Sequence, residues 1–130
     1  MRGDPVLVVD DNLANLKLSR VLLTSEGYRV RTARHADEAL EVLRGFRPRV
    51  ILMDVQLPGM DGLELTRRLK ADPAMRGIAI LAMTAYAMKG DEQEALAAGC
   101  DGYVSKPIDT RSLASLIERC LGDSPMEDRS

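Results

Sequence analysis

The chain has 130 residues, of which 45% are hydrophobic and 29% charged, with a formal net charge of −2 at pH 7. That length carries one domain with a single core, and the faint acidity excludes the basic stripe of a nucleic-acid surface; three Tyr, one Phe and no Trp leave no base-stacking platform. No apolar run approaches the roughly 20 residues a membrane helix needs, and Met1-Arg2-Gly3-Asp4-Pro5 holds no signal-peptide core, so a cytoplasmic location is expected.

In chain order, short apolar runs alternate with amphipathic segments. Val6–Val9 reads as a strand that ends in Asp10-Asp11-Asn12. Leu13–Glu26 reads as a helix, with Gly27 where a C-cap glycine belongs. Arg29–Ala33 alternates like a half-buried strand, and His35 beyond it reads as a solvated loop residue. Asp37–Phe46 reads as a helix stopped before Pro48. The unbroken run Val50-Ile51-Leu52-Met53 reads as a buried strand, and it ends in Asp54. Pro58-Gly59-Met60-Asp61-Gly62 is a turn before a helix over Leu63–Lys70. Ile78–Met83 is a fourth strand, closed by Thr84, and Lys89–Ala98 a helix ending at Gly99. Gly102–Ser105 is a short fifth strand followed by Lys106, and Thr110–Leu121 a last helix. Residues 1–121 are read as the domain and 122–130, which lack periodicity, as a disordered tail. Cys100 and Cys120 show no metal spacing, and both read as structural.

Five consecutive βα units predict an α/β fold: a doubly wound, five-stranded parallel sheet with helices on both faces. The natural strand order is 2-1-3-4-5, whose switch point lies between the first and third strands at their C-terminal ends. Asp10, Asp11 and Asp54 would stand there, with Thr84 and Lys106 at neighbouring strand ends. Two unit charges about 4 Å apart repel by roughly 4 kcal/mol at an effective dielectric of about 20, and a divalent cation relieves this. An all-oxygen set suits Mg²⁺ better than zinc. A metal, an ammonium and a hydroxyl beside one carboxylate are most of what phosphoryl transfer needs, and an aspartate can be the nucleophile. Taken singly, these acids could be helix caps, with Asp11 or Asn12 capping the first helix. Five polar residues at four successive strand ends argue for a site.

The motifs Val9-Asp10-Asp11-Asn12, Leu52-Met53-Asp54, Leu57-Pro58-Gly59-Met60-Asp61-Gly62, Met83-Thr84-Ala85 and Lys106-Pro107 resemble, as an ordered set over residues 5–121, the receiver domain of bacterial two-component response regulators, with its flavodoxin-like fold. The resemblance implies a phosphorylation-dependent switch rather than a turnover enzyme, catalysing only its own phosphorylation and dephosphorylation. Asp54 would accept a phosphoryl group from a histidine kinase or a histidine phosphotransfer domain. Asp10, Asp11 and Asp54 would hold Mg²⁺, with the backbone carbonyl of Gln56 as a further ligand. Lys106 and Thr84 would contact the phosphoryl oxygens, and the bond between Lys106 and Pro107 would be cis. Thr84 and Tyr103 would switch together, and Gln56 and Tyr86 would tune phosphate lifetime. The altered surface, formed by the fourth helix, fifth strand and fifth helix, would meet a downstream protein target.

The first helix carries two apolar stripes, Ala14, Leu18, Val21 and Leu22 on one side and Leu13, Leu16 and Leu23 on the other. A helix flanking a sheet needs one, so the surplus is a candidate docking patch, and the resemblance implies that it meets the four-helix bundle of a kinase or phosphotransfer domain. The segments 84–92 and 98–103 look most like single-domain cell-cycle receivers and the receivers of hybrid kinases. With no output domain after residue 121, a stand-alone receiver is favoured over one excised from a longer protein. A phosphatase of the haloacid dehalogenase type would need a second Asp where Gln56 stands. A flavodoxin-like cofactor binder would need a phosphate loop where Asp10-Asp11-Asn12 stands.

Overall fold

The structure is a computed structural model that describes residues 4–55, 62–84, 91–105, 115 and 117–119. Its elements are β1 (Pro5–Val9), α1 (Leu13–Ser25), β2 (Arg29–Ala33), α2 (Ala36–Leu43), β3 (Val50–Asp54), α3 (Gly62–Ala71), β4 (Ala79–Thr84), α4 (Asp91–Ala98) and β5 (Gly102–Ser105). All strands pair in parallel, in the order β2-β1-β3-β4-β5. That is the order read from the sequence, and the doubly wound α/β arrangement holds.

The strands' side chains alternate between two cores. Leu7, Val9, Ile51, Met53, Ile80 and Ala82 face one cluster with residues of α2, α3 and α4. Val6, Val8, Val50, Leu52, Leu81 and Met83 face another, with Leu16 and Leu23 of α1, Val104 and the helical residue Ile117. A central strand covered on both faces must be apolar throughout, which is why β3 reads as a continuous run. Each large side chain so buried stabilises the fold by about 1.5–3 kcal/mol.

Element ends follow local chemistry. Pro5 opens β1, where its missing N–H costs no ladder bond. α1 ends in a Schellman motif: Gly27 N donates to Thr24 O and Tyr28 N to Leu23 O, and Gly27 takes φ 95°. α4 ends the same way, with Gly99 N on Leu96 O and Cys100 N on Ala95 O. α2 stops at Leu43, three residues before the predicted Phe46, as Arg44 N and Gly45 N tighten onto Glu41 O and Val42 O. Phe46, freed from the helix, lies under the Arg31 guanidinium, 5.3 Å from ring centroid to Cζ. β4 begins one residue later than predicted, since Ile78 N closes a turn onto Met75 O.

His35 corrects the reading of a solvated loop residue. It is the N-cap of α2, its Nδ1 accepting from Glu38 N at 3.3 Å, while the Glu38 carboxylate accepts from Arg34 N at 2.6 Å. This reciprocal pair is a variant of the capping box. The readings of 122–130 as a tail and of Cys120 as structural lie outside the described residues, as does most of the last helix. Among the described residues no helix is long and apolar enough to cross a membrane.

Candidate functional site

Register brings the acids together. Val9 of β1 pairs with Met53 of β3, so the next residues along, Asp10 and Asp54, come level at the strands' C-terminal ends. Both carboxylates are inside the protein, Asp10 at 1% exposure and Asp54 at 3%, whereas Asp11 is exposed. One carboxylate oxygen from each of Asp10, Asp11 and Asp54 lies within 4.8 Å of the others. The backbone ties the neighbouring strand ends in: Asp10 N donates to Ala33 O at 3.0 Å and Val55 N to Met83 O at 3.0 Å.

The turn out of β1 explains why these acids are available. Asp10 Oδ1 accepts from Asn12 N at 2.9 Å, an Asx turn that bends the chain toward α1. Asn12 then caps the helix, its Oδ1 accepting from Asn15 N at 3.0 Å. Of the two residues the sequence offered as caps, Asn12 takes the role, and the exposed Asp11 keeps a carboxylate oxygen within reach of Asp10 and Asp54. The acids face one another without a His or Cys in the group. That is a hard, oxygen-only donor set, suited to Mg²⁺ or a similar cation.

Thr84 ends β4 one step beyond Met83, the register partner of Asp54, and is buried. Across the next pairing Thr84 meets Ser105, and Tyr103 meets Ala82. The half-buried Tyr103 packs against the core shared by α2, α3 and α4. Gln56, Tyr86, Lys106 and Pro107 lie outside the described residues.

Gly62 is a residue of the site that motif reading placed only in a turn. Its N–H donates to Val55 O at 3.2 Å, and its own carbonyl accepts from the buried Thr66 Oγ1 at 2.8 Å. The start of α3 is thereby fixed directly against the end of β3. Cys100 lies behind it, its Sγ 3.9 Å from Thr66 Oγ1. Burial pushes its thiol pKa up, which suits a structural cysteine.

On α1 the core-facing stripe is Leu16, Ser19 and Leu23. Leu13, Leu18 and Val21 are 62%, 47% and 59% exposed. The stripe containing Ala14, Leu18 and Val21 is therefore the outward one, and Leu13 joins it rather than Leu16 and Leu23. Leu13 begins this stripe two residues after Asp11, and Leu18 and Val21 continue it along α1.

A parallel sheet in this order with acids at its switch point defines a class of protein, and comparison with known proteins agrees. The family model of the response regulator receiver domain matches residues 6–118, and the chain belongs to that family, the receiver domains of two-component signal transduction. Among curated proteins, the polar-differentiation response regulator DivK of Brucella anthropi is 45% identical over 119 residues, covering 92% of this chain and 97% of that protein. DivK of Brucella ovis is 44% identical over the same coverage. A CheY-like receiver domain protein from Methanospirillum hungatei JF-1 superposes with a TM-score of 0.86 at 31% identity, over 96% of this chain and 98% of its own. The receiver domain of a sensor histidine kinase from Pseudomonas aeruginosa PAO1, solved with a magnesium ion coordinated in its active-site cleft, superposes with a TM-score of 0.85 at 35% identity, over 93% of this chain and 99% of its own.

Proposed function

We propose that Asp54 is the phosphoacceptor of this receiver and that Asp10, Asp11 and Asp54 hold the Mg²⁺ on which the transfer depends. The supporting observation is the convergence of the three carboxylates to within 4.8 Å, two of them buried. An Asp54 carboxylate oxygen forms the new O–P bond as the N–P bond of a phosphohistidine breaks, and the imidazole departs with its electron pair. When bound, Mg²⁺ supplies positive charge that offsets the acids and the incoming phosphoryl oxygens. The backbone carbonyl of Gln56 is a further ligand in this reading.

Thr84 donates its hydroxyl to a phosphoryl oxygen, and Lys106 sets its ammonium against another. With the phosphoryl group in place, Thr84 and Tyr103 shift together and alter the face carried by α4 and β5, which a downstream target reads. Gln56 and Tyr86, two residues beyond Asp54 and Thr84, control the access of water and hence the lifetime of the adduct. The partner that delivers the phosphoryl group is a histidine kinase or phosphotransfer domain, docked on the outward stripe of α1.

The test is intact mass after incubation with acetyl phosphate and Mg²⁺, beside Asp54→Asn. One phosphoryl adduct that requires Mg²⁺ and is absent from the variant is expected. An adduct of equal yield in Asp54→Asn, or no adduct from acetyl phosphate or any phosphohistidine donor with the fold intact, removes Asp54 from the role.

A further inference from the structure

One face of α3 runs from the acidic site to the corner between α4 and β5. Gly62, Thr66 and Lys70 follow one another at intervals of one helical turn, so they share that face. Gly62 abuts the Asp54 backbone. One turn on, Thr66 Oγ1 lies 3.9 Å from Cys100 Sγ. A turn further, the Lys70 stem passes Gly99, where a Cβ would come within 2.8 Å of Lys70 Cγ.

The Lys70 ammonium uses all three of its N–H donors on this corner and on the loop into β4. Nζ donates to Asp101 Oδ2 at 3.0 Å, to Ile78 O at 2.9 Å and to Arg76 O at 3.2 Å. Asp101 Oδ2 also accepts from Ile80 N at 2.8 Å, and Asp101 N donates to Ile80 O at 2.7 Å. Gly99 N and Cys100 N close the end of α4 on Leu96 O and Ala95 O. The Lys70 side chain is 21% exposed, against 57% and 60% for the arginines paired with Glu64 on the same helix, so its ion pair is less screened than theirs.

The rest of α4 is held lightly. Ala95 and Ala98 are its buried side chains among the described residues, while Gln93, Glu94, Leu96 and Ala97 are exposed. Two methyl groups bury little apolar surface, so the helix is fixed mainly at its C-terminal end. An element attached firmly at one end and packed lightly along its length moves by turning about the attached end.

We propose that Lys70 is a positioning residue that clamps the α4–β5 corner, and that α4 swings about this corner when Asp54 is phosphorylated. The clamp needs neither Mg²⁺ nor phosphate, whereas the swing rests on Asp54 being the phosphoacceptor.

The experiment is amide NMR on the full chain, with hydrogen exchange in EDTA and then shift changes in Mg²⁺ and acetyl phosphate, the adduct being followed by intact mass. In EDTA, Lys70→Met, which keeps the stem and removes the charge, should exchange about tenfold faster at Ile80, Cys100 and Asp101, with Val8 and Leu52 unchanged. Asp101→Asn should do the same to a smaller extent, and Lys70→Arg should restore part of the protection. Equal exchange in the parent and Lys70→Met, or an acceleration that includes Val8 and Leu52 equally, would overturn the clamp. With the adduct formed, the parent should shift more at Gln93–Leu96 than at Gly99–Asp101, and Lys70→Met should lose this contrast. Larger shifts at Gly99–Asp101 in the parent would overturn the swing. An adduct absent by mass removes the swing together with the phosphoacceptor reading, and the exchange in EDTA still decides the clamp.

Discussion

Gly62 lies so close to Asp54 that a Cβ placed on it would collide with the Asp54 backbone carbonyl. The contact is with main chain, which cannot rotate away as a flexible side chain would. In a helix Ala is ordinarily preferred to Gly by about 1 kcal/mol. Here the preference reverses, so Gly62→Ala should destabilise by about 1–3 kcal/mol and displace Asp54 enough to slow phosphorylation. Urea unfolding with a parallel acetyl phosphate time course checks both. A variant at least as stable as the parent would mean that the approach relaxes freely.

The clustered acids predict a stability gain on neutralising one of them. In EDTA, Asp10→Asn or Asp54→Asn should raise unfolding free energy by about 1 kcal/mol, because a like-charge contact is lost. In Mg²⁺ the order should turn over. The wild type gains stability with rising metal as binding linkage requires, and the variants gain little. Thermal melts across a Mg²⁺ series decide this, with identical slopes in all three proteins as the contrary result.

Tyr28 predicts a pH dependence. It is buried beneath α1, and desolvation first, then the charges of Glu118, Asp4 and Glu26, raise its pKa above 10.0. Above that pH the unfolded chain releases the phenolic proton while the folded chain keeps it. The unfolded state then binds fewer protons, so stability falls as pH rises from 10.0 until the folded phenol also ionises, by at most about 1.4 kcal/mol per pH unit. Tyr28→Phe should lack this slope and match the parent's behaviour below it. Parallel alkaline slopes in denaturant unfolding from pH 9 upward would be the opposing result.

The outward stripe of α1 separates docking from chemistry. Leu18→Glu and Val21→Glu alter exposed positions and should change stability by less than about 0.5 kcal/mol. Transfer from a phosphohistidine partner should drop about tenfold or more if these side chains anchor the interface. Labelling by acetyl phosphate, which needs no docking, should be unchanged. Equal losses with both donors would place the effect in the site.

Much of this protein was determined by local sequence. Short apolar runs marked the strands, unbroken in β3 because a strand between two helical layers must be apolar on both sides, with alternation confined to β2. Parallel βα repetition then left one natural strand order, which puts Asp10, Asp11 and Asp54 at the same sheet edge. What sequence could not decide depends on contacts between residues far apart in the chain. Periodicity offered two stripes on α1, and only packing against the sheet, along β2 and β1, buried Leu16 and Leu23 while turning Leu18 and Val21 outward. His35 looked like a loop residue until the entry to α2 placed its Nδ1 against Glu38 N. Gly62 looked like a turn glycine, for its requirement comes from a carbonyl eight residues back that the fold brings against it. Lys70 meets Asp101 across 31 residues of chain. Local propensities are written in neighbouring residues, whereas burial, close approach and long-range pairing exist only after the chain has closed on itself.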